Sequence, residues 1–425
     1  MNSAFLSWTA VKKLRENPKA PDLRQIPSII GGDEKKRHGI VTAKSLPAKK
    51  MGIHTAMTVA EALRICPNLV IEPPDFELYR EQSEKLMQLL RTFSPIQEQI
   101  SIDECFLDMT DTAGRFGAPG ESSRVWGVRA ADEIRREVRE KLGFTVNVGV
   151  SSNKLLAKMA SDFAKPDKTH TLFPEEVPSK MWPLPVEALY GAGPSTAQQL
   201  RRLGAATIGQ AAAMDPEVLK ASLGAKGGLY IYESANGRGS DVVHTEDRGA
   251  ISMSAETTVA SDLGSGDEKQ AEDVIRELSE RVSKRLRQDA VFARTITVTV
   301  KTDDFRRHSR SVSLKDPVND AKSISEAAIS GYWQMCGGDG GYFHAGLKVR
   351  LVGVGATRLE SGEFYQMNLA DLSRQLEEDD RQKKKREADE KQQRAKKAKQ
   401  DKLDSMRREL DEKFGEGTVV RGMKP

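Results

Sequence analysis

An α+β protein of several domains is the fold class the sequence predicts, and three observations predict it. Residues 1–170 alternate helical and strand patterns, residues 171–240 read as all-helical text punctuated by glycine, and residues 251–357 spell a compact βαββαβ module. A chain of 425 residues has room for about two to four such domains and for a sizeable core.

The elements follow in order. VAEALRICPN (59–68) reads as a short amphipathic helix. ELYREQSEKLMQLLRTF (77–93) is a longer one, with Leu78, Gln82, Leu86 and Leu90 at helical spacing. IQEQISI and CFLDMT are strands, VRAADEIRREVREKL (128–142) a second long helix, and FTVNVGV (144–150) an apolar strand. SSNKLLAKMASDFAK opens on Ser/Asn cap residues and runs helically to Pro166. The order α-β-β-α-β-α predicts a helix-covered, mainly antiparallel sheet. The last module reads ISMSAETT (strand), EKQAEDVIRELSERVSKRLRQ (helix), RTITVTVKTDD and RRHSRSVSL (strands), NDAKSISEAAISGYWQM (helix) and GLKVRLVGVGATRL (strand). ANGRGSDVVHTEDRGA before it is a tether, with a linker at 241–250. Beyond about residue 375, EEDDRQKKKREADEKQQRAKKAKQDK has no apolar stripe to bury, so solvated helix or disorder is expected.

Composition excludes several classes. Hydrophobic content is 38% and charged content 30%, and no apolar run approaches the ~18 residues of a membrane span. The opening MNSAFLSW lacks the basic and apolar regions of a signal peptide. Cys66, Cys105 and Cys336 lie far apart with no CxxC, which argues against a zinc site or disulfide framework and fits a reducing cytoplasm. The net charge of +4 and pI near 8.7 are compatible with nucleic-acid binding without demanding it.

The stretch QISIDECFLDMT (99–110) interrupts an apolar run with Asp103 and Glu104. On a flat strand, adjacent side chains point to opposite faces. If the pair is instead a two-residue hairpin connection, both carboxylates reach one side. Two such acids repel unless a cation intervenes, and a hard divalent ion with oxygen ligands, Mg²⁺ above all, resolves the cost. A solvated acidic turn is the plain alternative.

SIDECFLD resembles the catalytic carboxylate motif of the Y-family translesion DNA polymerases, the DinB, DNA polymerase IV and UmuC-like enzymes. The likeness continues through GVSSNKLLAKMASDFAKPDK (149–168), YGAGPSTAQQLRRLGAATIGQ (190–210) and the βαββαβ module, in the family's order over about residues 1–357. It implies a polymerase right hand with a ferredoxin-like palm and small fingers (1–170), a helical thumb with a helix-hairpin-helix (171–240), the linker (241–250), a little finger (251–357) and a charged tail (358–425). It also implies two Mg²⁺ ions that clamp the primer 3′-hydroxyl and the leaving pyrophosphate. Asp103 and Glu104 would be their ligands, and catalysis would rest on positioning and charge neutralisation.

The family also carries a third acid, an Asp that closes the first palm strand just ahead of an NSAFLSW-like segment. Met1 stands directly after that position, so the acid and its strand lie outside this chain. Either Met1 is an internal residue of a longer chain, or the protein is a polymerase-shaped relative without full chemistry. The first is favoured, because losing a central strand leaves an unpaired slot in a sheet, whereas an inactive scaffold needs only a point change. Weak or absent extension is expected from the 425-residue form.

Phe5 falls where the family places the steric gate, the aromatic that blocks a ribose 2′-OH; Phe5 as a plain core residue is the alternative. GIVTAKSLPAKKMGI (39–53) matches the finger segment that meets the triphosphate. There Lys49 replaces the common arginine and loses its bidentate fork, and Ala43 and Leu46 stand where a hydroxyl and a tyrosine are usual. Lys165 of DFAKP matches a second triphosphate lysine. IIGGDEKKRHG (29–39) contains GGDE, reminiscent of nucleotide cyclases, but its acids run into a charged, turn-rich stretch rather than a second strand. In YGAGPSTAQQLRRLG, the Gly191–Gly193 turn, Pro194 at a helix start and Arg201 read as a phosphate grip. Arg306, Arg310, Lys348 and Arg350 are expected near one sheet surface. FYQMNLADL (364–372) carries Gln366, Leu369 and Leu372 at the spacing of a degenerate sliding-clamp peptide. The reading is a monomeric cytoplasmic translesion polymerase acting on primer-template DNA and deoxynucleoside triphosphates. Its rivals are a silent accessory subunit and a DNA-binding repair adaptor.

Overall fold

Trp8 lies fully buried on helix α1 (Ala4–Glu16), with the rings of Tyr79 and Phe144 each 6.1 Å away. Around it forms the first of several cores in the computed structural model, which describes residues 1, 3–32, 39–245 and 249–361. The chain divides into two units, Met1–Gly249 and the remainder from Ala250.

The first unit continues through β1 (Ser28–Gly31), β2 (Val41–Lys44), α2 (Leu46–Lys50), α3 (Val59–Ile65), β3 (Val70–Glu72) and α4 (Phe76–Arg91). Next come β4 (Gln97–Gln99), β5 (Cys105–Leu107), α5 (Ala113–Phe116), α6 (Ser123–Glu137), β6 (Val148–Val150), α7 (Lys154–Asp162) and β7 (Thr169–Thr171). Helix α4 starts where the Asp75 carboxylate accepts the Leu78 N–H at 3.0 Å. Its three- and four-residue spacing then turns Leu78, Tyr79, Gln82, Leu86 and Leu90 inward. Helix α3 opens on a capping box between Thr58 and Glu61.

Among the described residues the strands of this unit form three small sheets. β1 pairs antiparallel with β2 and parallel with β3, β4 pairs antiparallel with β5, and β6 pairs parallel with β7. The expected mainly antiparallel sheet is therefore corrected: two of the four pairings are parallel. Helix α7 is the crossover that a parallel β6–β7 pair requires. The strand expected at 144–150 shortens to Val148–Val150, with Phe144 and Val146 given to the core instead.

Four helices follow, α8 (Pro194–Arg202), α9 (Ile208–Ala212), α10 (Pro216–Leu223) and α11 (Ala225–Ala235), as the glycine-punctuated text predicts. Their core joins α7 through Leu156 and Met159, so the helical segment and the end of the first α/β segment share one apolar cluster.

The second unit is β8 (Ser252–Leu263), α12 (Glu268–Gln288), β9 (Val291–Thr302), β10 (Arg307–Val318), α13 (Ala321–Cys336) and β11 (Val349–Ser361), the βαββαβ order expected. One antiparallel sheet in the order β10-β9-β11-β8 turns Ile296, Val298 and Val300 onto α12 and α13. Each such buried side chain contributes about 1.5–3 kcal/mol. The opposite face carries Thr297, Thr299 and Lys301 beside Ser311, Ser309 and Arg307. The expected grouping of four basic residues on one surface is corrected by register. Arg310 lies opposite the buried Val298, on the helix side of an edge strand, while Arg306 sits in the turn before β10.

Candidate active site

Strand pairing ends at Gln99 opposite Cys105, but the ladder runs one rung further, because the Ile100 N–H donates to the Glu104 carbonyl at 2.9 Å. The turn is therefore Ser101–Asp103, and the expected two-residue connection is corrected. Asp103 stands in the turn and Glu104 on the last rung. Asp103 accepts the Ser101 hydroxyl at 3.1 Å, and its other oxygen lies 3.3 Å from the Met1 ammonium. Glu104 accepts the Lys158 ammonium at 2.6 Å.

Helix α7 supplies that lysine. The Asn153 side chain caps it by accepting the Leu156 N–H at 2.9 Å, and donates to the Gly237 carbonyl at 3.1 Å. Lys154 and Lys158, one turn apart, each grip an acid of the hairpin, with Lys154 donating to Glu98 at 2.8 Å. The helix can lie so close only because residue 149 is glycine. A Cβ there would stand 1.9 Å from the Ala157 carbonyl oxygen. Beyond Lys158 the charges continue. Asp162 lies 3.2 Å from Lys158 and 2.7 Å from Lys165.

Beside Asp103 opens a cavity of about 320 Å³, within the range usual for small-molecule sites. Three distant segments line it: Ser3–Phe5 at the start of α1, Thr42–Leu46 with Lys49 and Thr55, and Ile102–Asp103. Phe5, Lys49 and Asp103 are thus brought together, whereas Glu104 and Lys165 stand outside the lining. Phe5 stacks on Tyr79 at 4.3 Å between centroids, which fixes its ring. Ala43 and Leu46 are lining residues. Ser45 caps α2 by accepting the Ala48 N–H at 3.1 Å.

Sequence reasoning missed Lys44. It donates to the Thr55 hydroxyl at 3.0 Å, while its backbone is tied to the Ser3 hydroxyl. Burial, together with the charge of Lys49, holds its ammonium below the ordinary lysine range. Nothing in the spacing separates it from a solvated lysine; only the fold buries it. Lys158 shifts the other way: burial opposes its charge, but the hydrogen bond to Glu104 and the charges of Asp162 and Glu104 outweigh it. Burial raises the Cys105 thiol to about 11, so no thiolate nucleophile adjoins the acids.

Among the described residues no group of three or more His, Cys, Asp or Glu assembles. Two carboxylates with hard oxygens remain, and the Lys158 ammonium on Glu104 shows that a cation fits there. Such a pair suits an ion that keeps waters and takes further oxygens from substrate phosphates. A hexadentate protein cage is ruled out for these residues.

At the helical segment, Gly191 has φ +88° and its missing side chain makes room for Tyr230, whose ring would stand 2.5 Å from a Cβ. The N–H groups of Ala192 and Gly193 donate within the turn, to Leu189 and Gly191. Arg201 is held bidentate by Glu187 at 2.6 and 2.8 Å. The expected free phosphate grip is thus partly closed by an ion pair that lies at the surface, where solvent screens it. Gln366, Leu369 and Leu372, the charged stretch after 375 and the acids of GGDE lie outside the described residues.

Comparison with known proteins places this architecture. The profile of the impB/mucB/samB family matches residues 1–162, and that of the impB/mucB/samB family C-terminal domain matches residues 250–369. DNA polymerase IV of Clostridium acetobutylicum is 41% identical over 372 residues, 87% of this chain and 88% of that protein. DNA polymerase IV 1 of Bacillus subtilis is 35% identical over 355 residues, 82% of this chain and 80% of that one. A Y-family DNA polymerase chimera of known structure superposes with a TM-score of 0.68 over 84% of this chain and 98% of that one, at 23% identity.

Proposed function

The chain belongs to the Y-family of DNA polymerases, the impB/mucB/samB group, and on that premise we propose that it is a template-directed translesion DNA polymerase whose nucleotide site is the cavity beside Asp103. One observation carries the placement. Phe5, Lys49 and Asp103, a candidate sugar gate, phosphate contact and metal ligand, come from three separate segments to line one cavity.

In this reading the Phe5 ring, fixed by Tyr79, lies under the sugar and excludes a 2′-hydroxyl by volume. Lys49 and Lys44 meet the triphosphate as two point charges in place of one guanidinium fork. Asp103 and Glu104 hold Mg²⁺. Two such ions, when bound, supply the charge that activates the primer hydroxyl and steadies the leaving pyrophosphate. Lys165 reaches the triphosphate from outside the cavity lining. Residues 1–170 serve as palm and fingers, 171–240 as thumb, 241–250 as linker, 251–357 as little finger and 358–425 as tail. Gly191, Gly193 and Arg201 grip the duplex backbone once Glu187 yields. The 366–372 segment docks a sliding clamp through Gln366, Leu369 and Leu372, and the enzyme works as a cytoplasmic monomer.

The test is template-dependent incorporation at excess enzyme, with Mg²⁺ or Mn²⁺ and each deoxynucleotide in turn. Preferential insertion of the nucleotide complementary to the template base is expected. DNA binding without nucleotide-dependent extension under any metal would favour the repair-adaptor rival.

A further inference from the structure

Glu104, Lys158, Asp162 and Lys165 form an alternating chain of charge with contacts of 2.6, 3.2 and 2.7 Å. Both inner members are shared. Lys158 divides its ammonium between two carboxylates, and Asp162 divides its carboxylate between two ammoniums. Lys158 and Asp162 are one turn apart on α7 and Lys165 is three residues further, so partners can be exchanged by side-chain rotation alone. Lys158 is the most shielded, with a side chain 15% exposed, against 45% for Asp162 and 30% for Lys165. The neighbouring Lys154–Glu98 pair has the same spacing to the hairpin but no such continuation.

We propose that this chain couples the two ends of the nucleotide site: a divalent cation on Glu104 releases Lys165 toward the triphosphate. The inference rests on the reading of Asp103 and Glu104 as metal ligands. Lys158 occupies Glu104 as a stand-in cation until a divalent ion takes that oxygen. Like charge then turns Lys158 wholly onto Asp162. With that carboxylate saturated, its hold on Lys165 weakens, and Lys165 becomes available to phosphate oxygens. Lys158 is a positioning residue here, acting through Glu104 at one end and Lys165 at the other.

The full chain is titrated with Mn²⁺ alone, without nucleotide, and free Mn²⁺ is read by electron paramagnetic resonance. Lys158→Met removes the competing cation and should tighten Mn²⁺ binding roughly three- to tenfold. Asp162→Asn leaves Lys158 only Glu104 to hold and should weaken it by a similar factor. Lys158→Arg should stay near wild type, and Lys154→Met should change Mn²⁺ affinity less than Lys158→Met does. Inorganic triphosphate in metal-free buffer reads the other end. Asp162→Asn should bind it more tightly than wild type, and Lys158→Met less tightly. Plain charge removal gives the same opposed signs, so the coupling is read in the double variant: with Lys158→Met in place, Asp162→Asn should change Mn²⁺ affinity no further, and a loss as large as in the wild-type background overturns the coupling. Asp103→Asn separates the two levels. If it leaves Mn²⁺ binding unchanged, or if the wild type binds none, the metal reading falls and the coupling falls with it. If Asp103→Asn weakens Mn²⁺ while the two α7 variants have no opposed effect, only the coupling is lost.

Discussion

The hairpin β4–β5 and the sheet of the second unit are built by opposite means. The hairpin strands are three residues each, half-buried, and fastened to α7 by Lys154–Glu98 and Lys158–Glu104. Strands β9 and β10 run twelve residues each, and β9 buries Ile296, Val298 and Val300 against α12 and α13. Ion pairs add to the apolar contacts of Ile102, Cys105 and Leu107 in the hairpin, whereas the sheet rests mainly on its buried face. Charge on short strands leaves carboxylates within reach of a ligand, at little cost to the fold. Continuous packing gives stability, and the ionisable groups it encloses, Tyr332 and Cys336, are pushed by burial above their ordinary ranges and so kept neutral. Damage to the two should therefore read out differently, in activity for the hairpin and in stability for the sheet.

The sharpest separation is at Asp103. Asp103→Asn should take single-turnover primer extension at excess enzyme down to background. Thermal unfolding should hardly move, since the residue sits in a turn. Parallel losses in rate and melting temperature would erase the contrast. The mirror experiment is Ile296→Ala in the fully buried centre of β9. It should cost about 2–5 kcal/mol in urea unfolding, with per-molecule extension by the folded fraction preserved. A smaller effect is expected at Phe5. Phe5→Ala should relax discrimination against ribonucleotides by roughly 10–200-fold, measured as a ratio of kcat/KM values, and unchanged sugar selectivity would return Phe5 to the core.

The smallest effect concerns pH. Lys44 is held below the ordinary lysine range by burial and by Lys49. Its charge should therefore be lost, and triphosphate affinity weaken, as pH rises through a window below that range. Over the same window the unfolded chain binds the proton more tightly than the folded one, so stability should rise slightly with pH. Lys44→Arg should flatten the affinity profile. A Lys44 variant with the wild-type profile would place the residue outside the site.

The same contrast explains what could be read beforehand. The periodicity predicts a helix over 268–288 and α12 lies at Glu268–Gln288, with the module's four strands in the expected order. Long elements repeat their signal. A three-residue strand shows hardly one period, so β6 and β7 hid a parallel pairing that only the α7 crossover explains. The hairpin turn departs from the two-residue expectation for a related reason. Its register is set by a backbone bond from Ile100 to Glu104, which leaves no trace in side-chain type. Asp103, Phe5 and Lys49 were legible through family resemblance. Lys44 and the Glu104–Lys158–Asp162–Lys165 chain were not, because burial and shared ion pairs exist only once α7 and β2 are in place.

The most direct test of the central claim is a crystal of the chain with primer-template DNA, an incoming deoxynucleotide and Mn²⁺, examined by anomalous scattering. Anomalous density is expected between the Asp103 and Glu104 carboxylates, with the sugar against Phe5 and the phosphates toward Lys44 and Lys49. Manganese bound elsewhere, or a triphosphate lying outside that cavity, would contradict it.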